Sequence, residues 1–395
     1  MSDQLFISAL PGEVRAAWLA DGLLHDLVIV RDDRPSLADN IYLGRVVTLQ
    51  PKLAAAFVDI GAERPGFLPL DEAPKGLSEG DSLILRVARD ATAEKGVRLT
   101  ARFGDLPPAL LALADGAVPP VLLRRAQDPL SLALDAAETL EEIVIDDPVT
   151  FARARQMIAA RPEMSERLRL DLDSAPLFER AGIEAQIEAL LEPRVDLPSG
   201  GFLLVEPVQT LTAIDVNAGR HDSAGSTGAL AVNLAAAAEI PRQLRLRGLS
   251  GLIVVDFLDL ADQGARERVV RALQRGLADD PQPGRVSPMR RSGLVEITRR
   301  RAGPALHEVL TEACGIAGGG RVYDPVSQAF AALRAARVAA TGAPGRAVAI
   351  VAGPRLIAAL EGPAAVARAA VEERLGRSLS LRLQQGRDGF DIVLE

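Results

Sequence analysis

The stretch LTAIDVNAGR, residues 211–220, places a carboxylate and an amide two positions apart at the end of an apolar run. Leu211, Ala213 and Ile214 suit a buried strand, and Asp215 does not. A second run, GLIVV at 251–255, ends the same way in Asp256. Two apolar strands that each deliver a carboxylate at the tip can lie side by side in a mixed sheet, bringing both acids within reach of one ion. Asn217 follows Asp215 by two residues, so in extended backbone it points to the same face. Magnesium favours one or two carboxylates completed by waters and substrate phosphate oxygens. An ion so held can activate water and neutralise charge building on phosphorus. The alternative is local: Asp and Asn start turns, Gly219 can close one, and Asp256 alone can be a capping acid.

The flanking elements are those that could position such a pair. GGFLLVEP and QTLTAID form a hairpin that delivers Asp215. A helix follows from about Gly228 to Arg247, with Ser226 or Thr227 as N-cap, and Pro241 is expected to kink it or end its first half. GLIVVDFLDL reads as a buried strand by its continuous apolar run, ARERVVRALQRGLADD as an amphipathic helix and GLVEITRRR as a further strand. Upstream, residues 13–31 read as a hairpin around Asp21-Gly22. From Asn40 come five short strands: NIYLGRVVTLQ, LAAAFVDIG, RPGFLPL, SLILRVAR and KGVRLTAR. They suit a small barrel of the oligonucleotide-binding type. Residues 104–126 are a Pro-, Leu- and Ala-rich connector, and helical periodicity dominates 148–192 around a break at RPEMSER. The last 75 residues form a small α+β unit.

Composition bounds the class. The 395 residues are 48% hydrophobic and 25% charged, an ordinary globular balance, and the formal net charge is −8. Such a chain grips nucleic acid only through local basic patches. Arg285, Arg290, Arg291, Arg299, Arg300 and Arg301 form one candidate, with Arg291 as the member assigned to RNA; Arg242, Arg245 and Arg247 form another. A solvated charged face is the competing reading of both. The single cysteine, Cys314, excludes an intrachain disulfide and a cysteine-cluster metal site within one chain. The N-terminal stretch has acids and a Pro-Gly break where a signal peptide needs unbroken apolar sequence, and no run reaches the roughly 18 apolar residues of a membrane span. A cytoplasmic protein without membrane contact is expected.

LPSGGFLLVEPVQTLTAIDVNAGR, followed by NLAAAAEIPRQLRLRGLSGLIVVDFLDL, closely resembles the ribonuclease E/G family. The resemblance extends to NIYLGRV and AAAFVDIGAERPGFLPL, to EEIVIDDP and to the terminal FDIVLE, and in length it lies nearer the ribonuclease G branch. It implies an α/β and α+β multidomain chain. Residues 1–37 and 105–196 would build an RNase H-like subdomain and 38–104 an inserted OB-fold barrel. Residues 197–310 would be a DNase I-like catalytic subdomain, 311–320 a degenerate zinc-link and 321–395 a small C-terminal domain. It implies Asp215 and Asp256 as magnesium ligands with Asn217 orienting Asp215. The activity implied is internal cleavage of single-stranded RNA to 5′-phosphate and 3′-hydroxyl ends, in rRNA maturation or mRNA turnover. Phe57 and Phe67 would stack a base and Lys95 would meet the RNA backbone. Taken alone, Phe57 reads as barrel core and Lys95 as a solvated hairpin lysine.

Two family features are missing. The region that senses a 5′-monophosphate carries an Arg-Thr pair in the family. Here the chain runs from KGVRLTARFGD to VPPVLLRRAQDP without one, and Pro283, or with a small slip Arg285, stands near a supporting basic position. The zinc-linking Cys-Pro-x-Cys is reduced to Thr311, Glu312 and Cys314, so no zinc is expected and any homodimer would be held by packing. Two further classes remain open in the sequence: an RNA-binding relative without turnover, and a nuclease directed at DNA.

Overall fold

The computed structural model describes residues 3–395 apart from 92–95, 105, 138, 174, 199, 209, 220–225, 279, 283, 302 and 315–319. Two compact units emerge, one of Met1–Arg34, Leu130–Arg300 and Ala305–Glu395, the other of Pro35–Pro129 and Arg301–Pro304.

In the first unit, strands β1 (Asp3–Leu10), β2 (Glu13–Ala20) and β3 (Leu23–Arg31) run as an antiparallel meander. The hairpin turn falls at Asp21 and Gly22, both at positive φ, as the Asp-Gly pair requires. Within the second unit, the chain continues through β4 (Ile41–Gln50), β5 (Ala55–Asp59), β6 (Gly66–Pro69), β7 (Ser82–Arg89) and β8 (Arg98–Thr100). These close into a five-stranded barrel in the order β4-β5-β6-β8-β7, back to β4. Val58, Leu68, Leu85, Val87 and Leu99 fill its interior. A Cβ on Gly44 would stand 2.8 Å from Val58 and one on Gly66 2.5 Å from Leu99, so both glycines are required by the packing. Strand β9 (Val121–Arg124) adds to β4 from outside the ring, so the connector belongs to the same unit.

Back in the first unit, β10 (Glu142–Ile145) pairs parallel with β1 and β11 (Leu168–Leu170) parallel with β10, giving the order β11-β10-β1-β2-β3. Both faces are covered. Leu5 and Ile7 face one cluster with Leu134 and Ile158, and Phe6 the other with Phe178 and Ile187.

A second mixed sheet holds β12 (Arg194–Asp196), β13 (Phe202–Pro207), β14 (Thr212–Asn217), β15 (Gly251–Asp256), β16 (Gly284–Val286) and β17 (Leu294–Arg299), ordered β12-β13-β14-β15-β17-β16. Strands β14 and β15 are parallel, which demands a crossover, and the helix Ser226–Leu246 supplies it. It packs with the helix Gln263–Ala278 over Ile214, Val216, Ile253, Val255, Val295 and Ile297. The expectation that β15 is buried throughout is corrected: Leu252 is 40% exposed and Val254 only half-buried, because these helices cover one face of the sheet. Pro241 does not end its helix. Gly276 opposite leaves room for the ring, since a Cβ there would lie 2.7 Å from Pro241 Cγ. Packing along Val232, Ala236, Ile240 and Leu244 offsets the lost backbone bond.

Strands β18 (Thr311–Ala313) and β19 (Arg321–Tyr323) form a ribbon. The C-terminal part then builds the sheet β21-β20-β22 from β20 (Val348–Ala352), β21 (Leu379–Leu383) and β22 (Phe390–Leu394). Its helices bury Phe330, Leu333 and Leu360 together with Leu10 of β1.

Candidate active site

The register of the parallel pair sets Asp215 directly beside Asp256. Along β14, Ile214 and Val216 point into the core, so alternation sends Asp215 and Asn217 to the opposite, uncovered face. Asn217 Nδ2 donates to Asp215 Oδ2 at 2.7 Å, fixing that carboxylate's orientation. Partial withdrawal from water, the charge of Asp215 and that of Asp259 together raise the pKa of Asp256 above the ordinary carboxylate value. Burial and nearby like charges both disfavour the charged form of a carboxylate. Among the described residues, no group of three or more His, Cys, Asp and Glu is placed to hold a metal ion. The donor set is a carboxylate pair, all oxygen, and it fits magnesium, which keeps several waters and shares phosphate oxygens.

Three positioning residues escaped the sequence reading. Asn233, fully buried on the crossover helix, donates through Nδ2 to Leu258 O at 2.8 Å and accepts from Leu258 N at 3.0 Å. It clamps the backbone two residues beyond Asp256. Gly293, at φ +81°, closes the turn before β17; a Cβ there would stand 2.2 Å from Phe257 O and 3.5 Å from Asp256 Oδ1. Asp259 contributes its charge. A lone asparagine in NLAAAAEIP was the one available signal for Asn233; the other two had none beyond residue type.

The arginine groups are redistributed. Arg299 is buried, bonded to Asp280 at 2.8 and 2.9 Å and to Leu249 O, so it is a structural ion pair. Arg290 pairs with Glu296, and Arg301 belongs to the barrel unit. Arg285, Arg291 and Arg300 remain exposed, Arg291 on the turn that Gly293 closes against Asp256. The second arginine candidate is not a surface patch. Arg242 serves Glu239 and Leu24 O, and Arg247 bonds Gln243 while burial draws its pKa down to about 10.

On the barrel, Phe57 and Phe67 are directly opposite on β5 and β6, both half-buried, with ring centroids 6.0 Å apart at 76°. They line the outside of the barrel. Lys95 and Pro283 lie outside the described residues. In the ribbon, Thr311 accepts from Arg321 Nε at 2.6 Å and Glu312 pairs with Arg355, so both residues standing for the family's Cys-Pro have polar partners of their own. Cys314 is a free thiol.

The profile of the Ribonuclease E/G family matches residues 72–302. Ribonuclease E of Escherichia coli is 30% identical across 84% of this chain, and that of Haemophilus influenzae equally so; the chain spans 40% and 45% of their respective lengths. Ribonuclease G of Salmonella typhimurium is 26% identical with both chains fully covered, in an alignment of 490 positions against the 395 residues here. With its profile spanning more than half of the sequence and a 30%-identical relative covering most of it, the chain belongs to the ribonuclease E/G family.

Proposed function

We propose that this chain is a magnesium-dependent endoribonuclease that cuts single-stranded RNA to 5′-phosphate and 3′-hydroxyl products, in rRNA maturation or mRNA turnover in the cytoplasm. The observation that carries the reading is the registered pair Asp215 and Asp256, with Asn217 bonded to the first. Both carboxylates would hold the ion, and Asn217 keeps Asp215 turned toward it. When bound, magnesium supplies charge neutralisation at the scissile phosphate and a more acidic water. Asn233 and Gly293 hold the strand end so that Asp256 stays in line with its partner. Arg291 sits where a neighbouring RNA phosphate can be gripped, and Phe57 and Phe67 offer stacking faces for a base. The sheet order β11-β10-β1-β2-β3, three antiparallel strands followed by two parallel ones, supports an RNase H-like subdomain, and the β12–β17 sheet with helices on one face a DNase I-like one. No membrane contact is proposed; among the described residues no helix is long and apolar enough to cross a bilayer. With one thiol per chain, any homodimer is proposed to form without zinc.

The test is direct. A labelled unstructured RNA and a DNA of the same sequence are incubated with the protein in magnesium or EDTA. Magnesium-dependent cuts in RNA bearing 5′-phosphate ends are expected. RNA bound but never cut would leave a binding relative without turnover, and equal cutting of DNA would overturn the RNA assignment.

A further inference from the structure

The uncovered face of the β12–β17 sheet carries more than the acids. Leu203, Val205, Ile214 and Val216 pack into the core on the other side. Alternation therefore puts Phe202 and Leu204 of β13 beside Asn217 and Asp215, their register partners on β14. On the edge strand β12, Val195 packs toward the core, and Arg194 and Asp196 share the uncovered face. The Arg194 guanidinium lies over the Phe202 ring, 3.7 Å from its centroid. Asp196 accepts from Arg194 Nε at 2.9 Å and lies 2.7 Å from its Nη2, which holds the plane in place and balances its charge. The ring is half-buried, and the arginine side chain is 55% exposed. The backbone around Phe202 is closely fitted to the site. A Cβ on Gly201 would stand 2.5 Å from Asn217 O, and one on Gly219, at φ +76°, 2.3 Å from Gly200 O.

We propose that Arg194 and Phe202 form a stacking platform for the base next to the scissile phosphate. The inference rests on the endoribonuclease reading above and adds a residue pair that makes cleavage depend on a base at that position. Phe202 stands one strand interval, about 5 Å, from Asn217. That is within one nucleotide's reach of the acid pair, and all these residues belong to the first unit. Bases of single-stranded RNA stack on aromatic rings and on guanidinium planes alike. Because Asp196 balances Arg194, the pair offers a flat surface for stacking rather than a free charge for phosphate. Stacking there fixes the adjoining sugar and phosphate beside the carboxylates, so it contributes orientation at the cut. Every base has a π face, so the platform tolerates any sequence and rejects only the loss of the base.

A cycle between protein and substrate tests this, with the whole chain in magnesium. A labelled unstructured RNA with a mapped cut is compared with copies made abasic one position at a time on either side of it. For the wild type, kcat/KM should fall about ten-fold at one flanking position, in the range of one stacked base. Phe202→Ala should cut the intact RNA about ten-fold less efficiently, yet cut that abasic copy as the wild type does. Phe202→Trp should restore the dependence on the base. Arg194→Lys, which keeps the charge and loses the plane, should lose most of it. Equal losses by Phe202→Ala on intact and abasic RNA would leave the pair a structural role and overturn the platform. A wild type that cuts well and is indifferent to every flanking base would overturn it too. A wild-type chain that cuts no RNA refutes the endoribonuclease reading itself.

Discussion

At the scale of single residues, the two acids divide charge from fold. Asp215→Asn or Asp256→Asn removes a charge from an exposed strand end and no apolar contact from the core. Each should abolish magnesium-dependent cleavage while RNA binding in EDTA persists. Without magnesium the Asp256→Asn protein should be no less stable, since Asp215 and Asp259 press on that carboxylate. Residual cleavage by Asp256→Asn at limiting magnesium would remove it from the site. Asn217→Ala should cost less, as it frees a carboxylate without deleting one. Asn233→Leu makes the opposite trade. It leaves the Leu258 N–H and C=O unpaired, at about 1–3 kcal/mol per group, so urea unfolding should show a clear loss and turnover should fall with it; an unshifted midpoint would sink the clamp. The acids were legible because a carboxylate at the end of an apolar strand contradicts its surroundings. Asn233 was not, because its partner is backbone and backbone bonds leave no trace in residue type.

Among the elements, sequence patterning identified the barrel strands, the Asp21-Gly22 hairpin and the crossover helix, all short-range features. It could not tell that only one face of β15 is covered, because an unbroken run such as GLIVV is compatible with either arrangement. Nor could it foresee that Gly276, on another helix, makes Pro241 tolerable. The same limit applies to Phe57. Alternation on β5 sets it opposite Ala56 and Val58, and only closure of the ring reveals which side is interior. With Phe57 and Phe67 outside, Phe57→Ala and Phe67→Ala should each weaken RNA binding by about 1–3 kcal/mol, the worth of a stacked base. Binding isotherms on folded variants decide this, and unchanged affinity would return both rings to a packing role.

In the molecule as a whole, beside the apolar contact at Leu10, ion pairs join the C-terminal part to the first sheet and to the helix cap at Asp147. Arg334 meets Glu13 at 2.7 Å, Arg31 meets Asp324, and Arg374 meets Asp147. Burial alone would raise the pKa of Asp147, but bonds from Thr150 and the Arg374 pair outweigh it and hold it below the ordinary carboxylate value. A depressed carboxylate stabilises the fold above its unfolded pKa of about 3.9 and loses that contribution as pH falls through the folded value. Urea midpoints should therefore drop in that acid window, and Asp147→Asn, which keeps a capping oxygen, should flatten the drop; an identical pH profile would contradict it. Asp146 beside it is raised by burial and acts with the opposite sign. The second molecular-scale expectation follows from the missing Arg-Thr segment. One RNA bearing a 5′-monophosphate, triphosphate or hydroxyl should be cut at rates within about threefold, roughly 0.65 kcal/mol in barrier. A tenfold preference for the monophosphate would locate sensing elsewhere in this chain.

Leu10, at the end of the first strand, is buried by helices that the ribosome makes far later, and neighbouring Glu13 finds its Arg334 partner 321 positions on. At about 5–20 residues per second, that interval lasts roughly 16–64 s. The barrel, drawn almost wholly from one continuous segment, has every strand it needs early in that wait. All the barrel strands are therefore made while the opening strand still lacks the helices that cover Leu10.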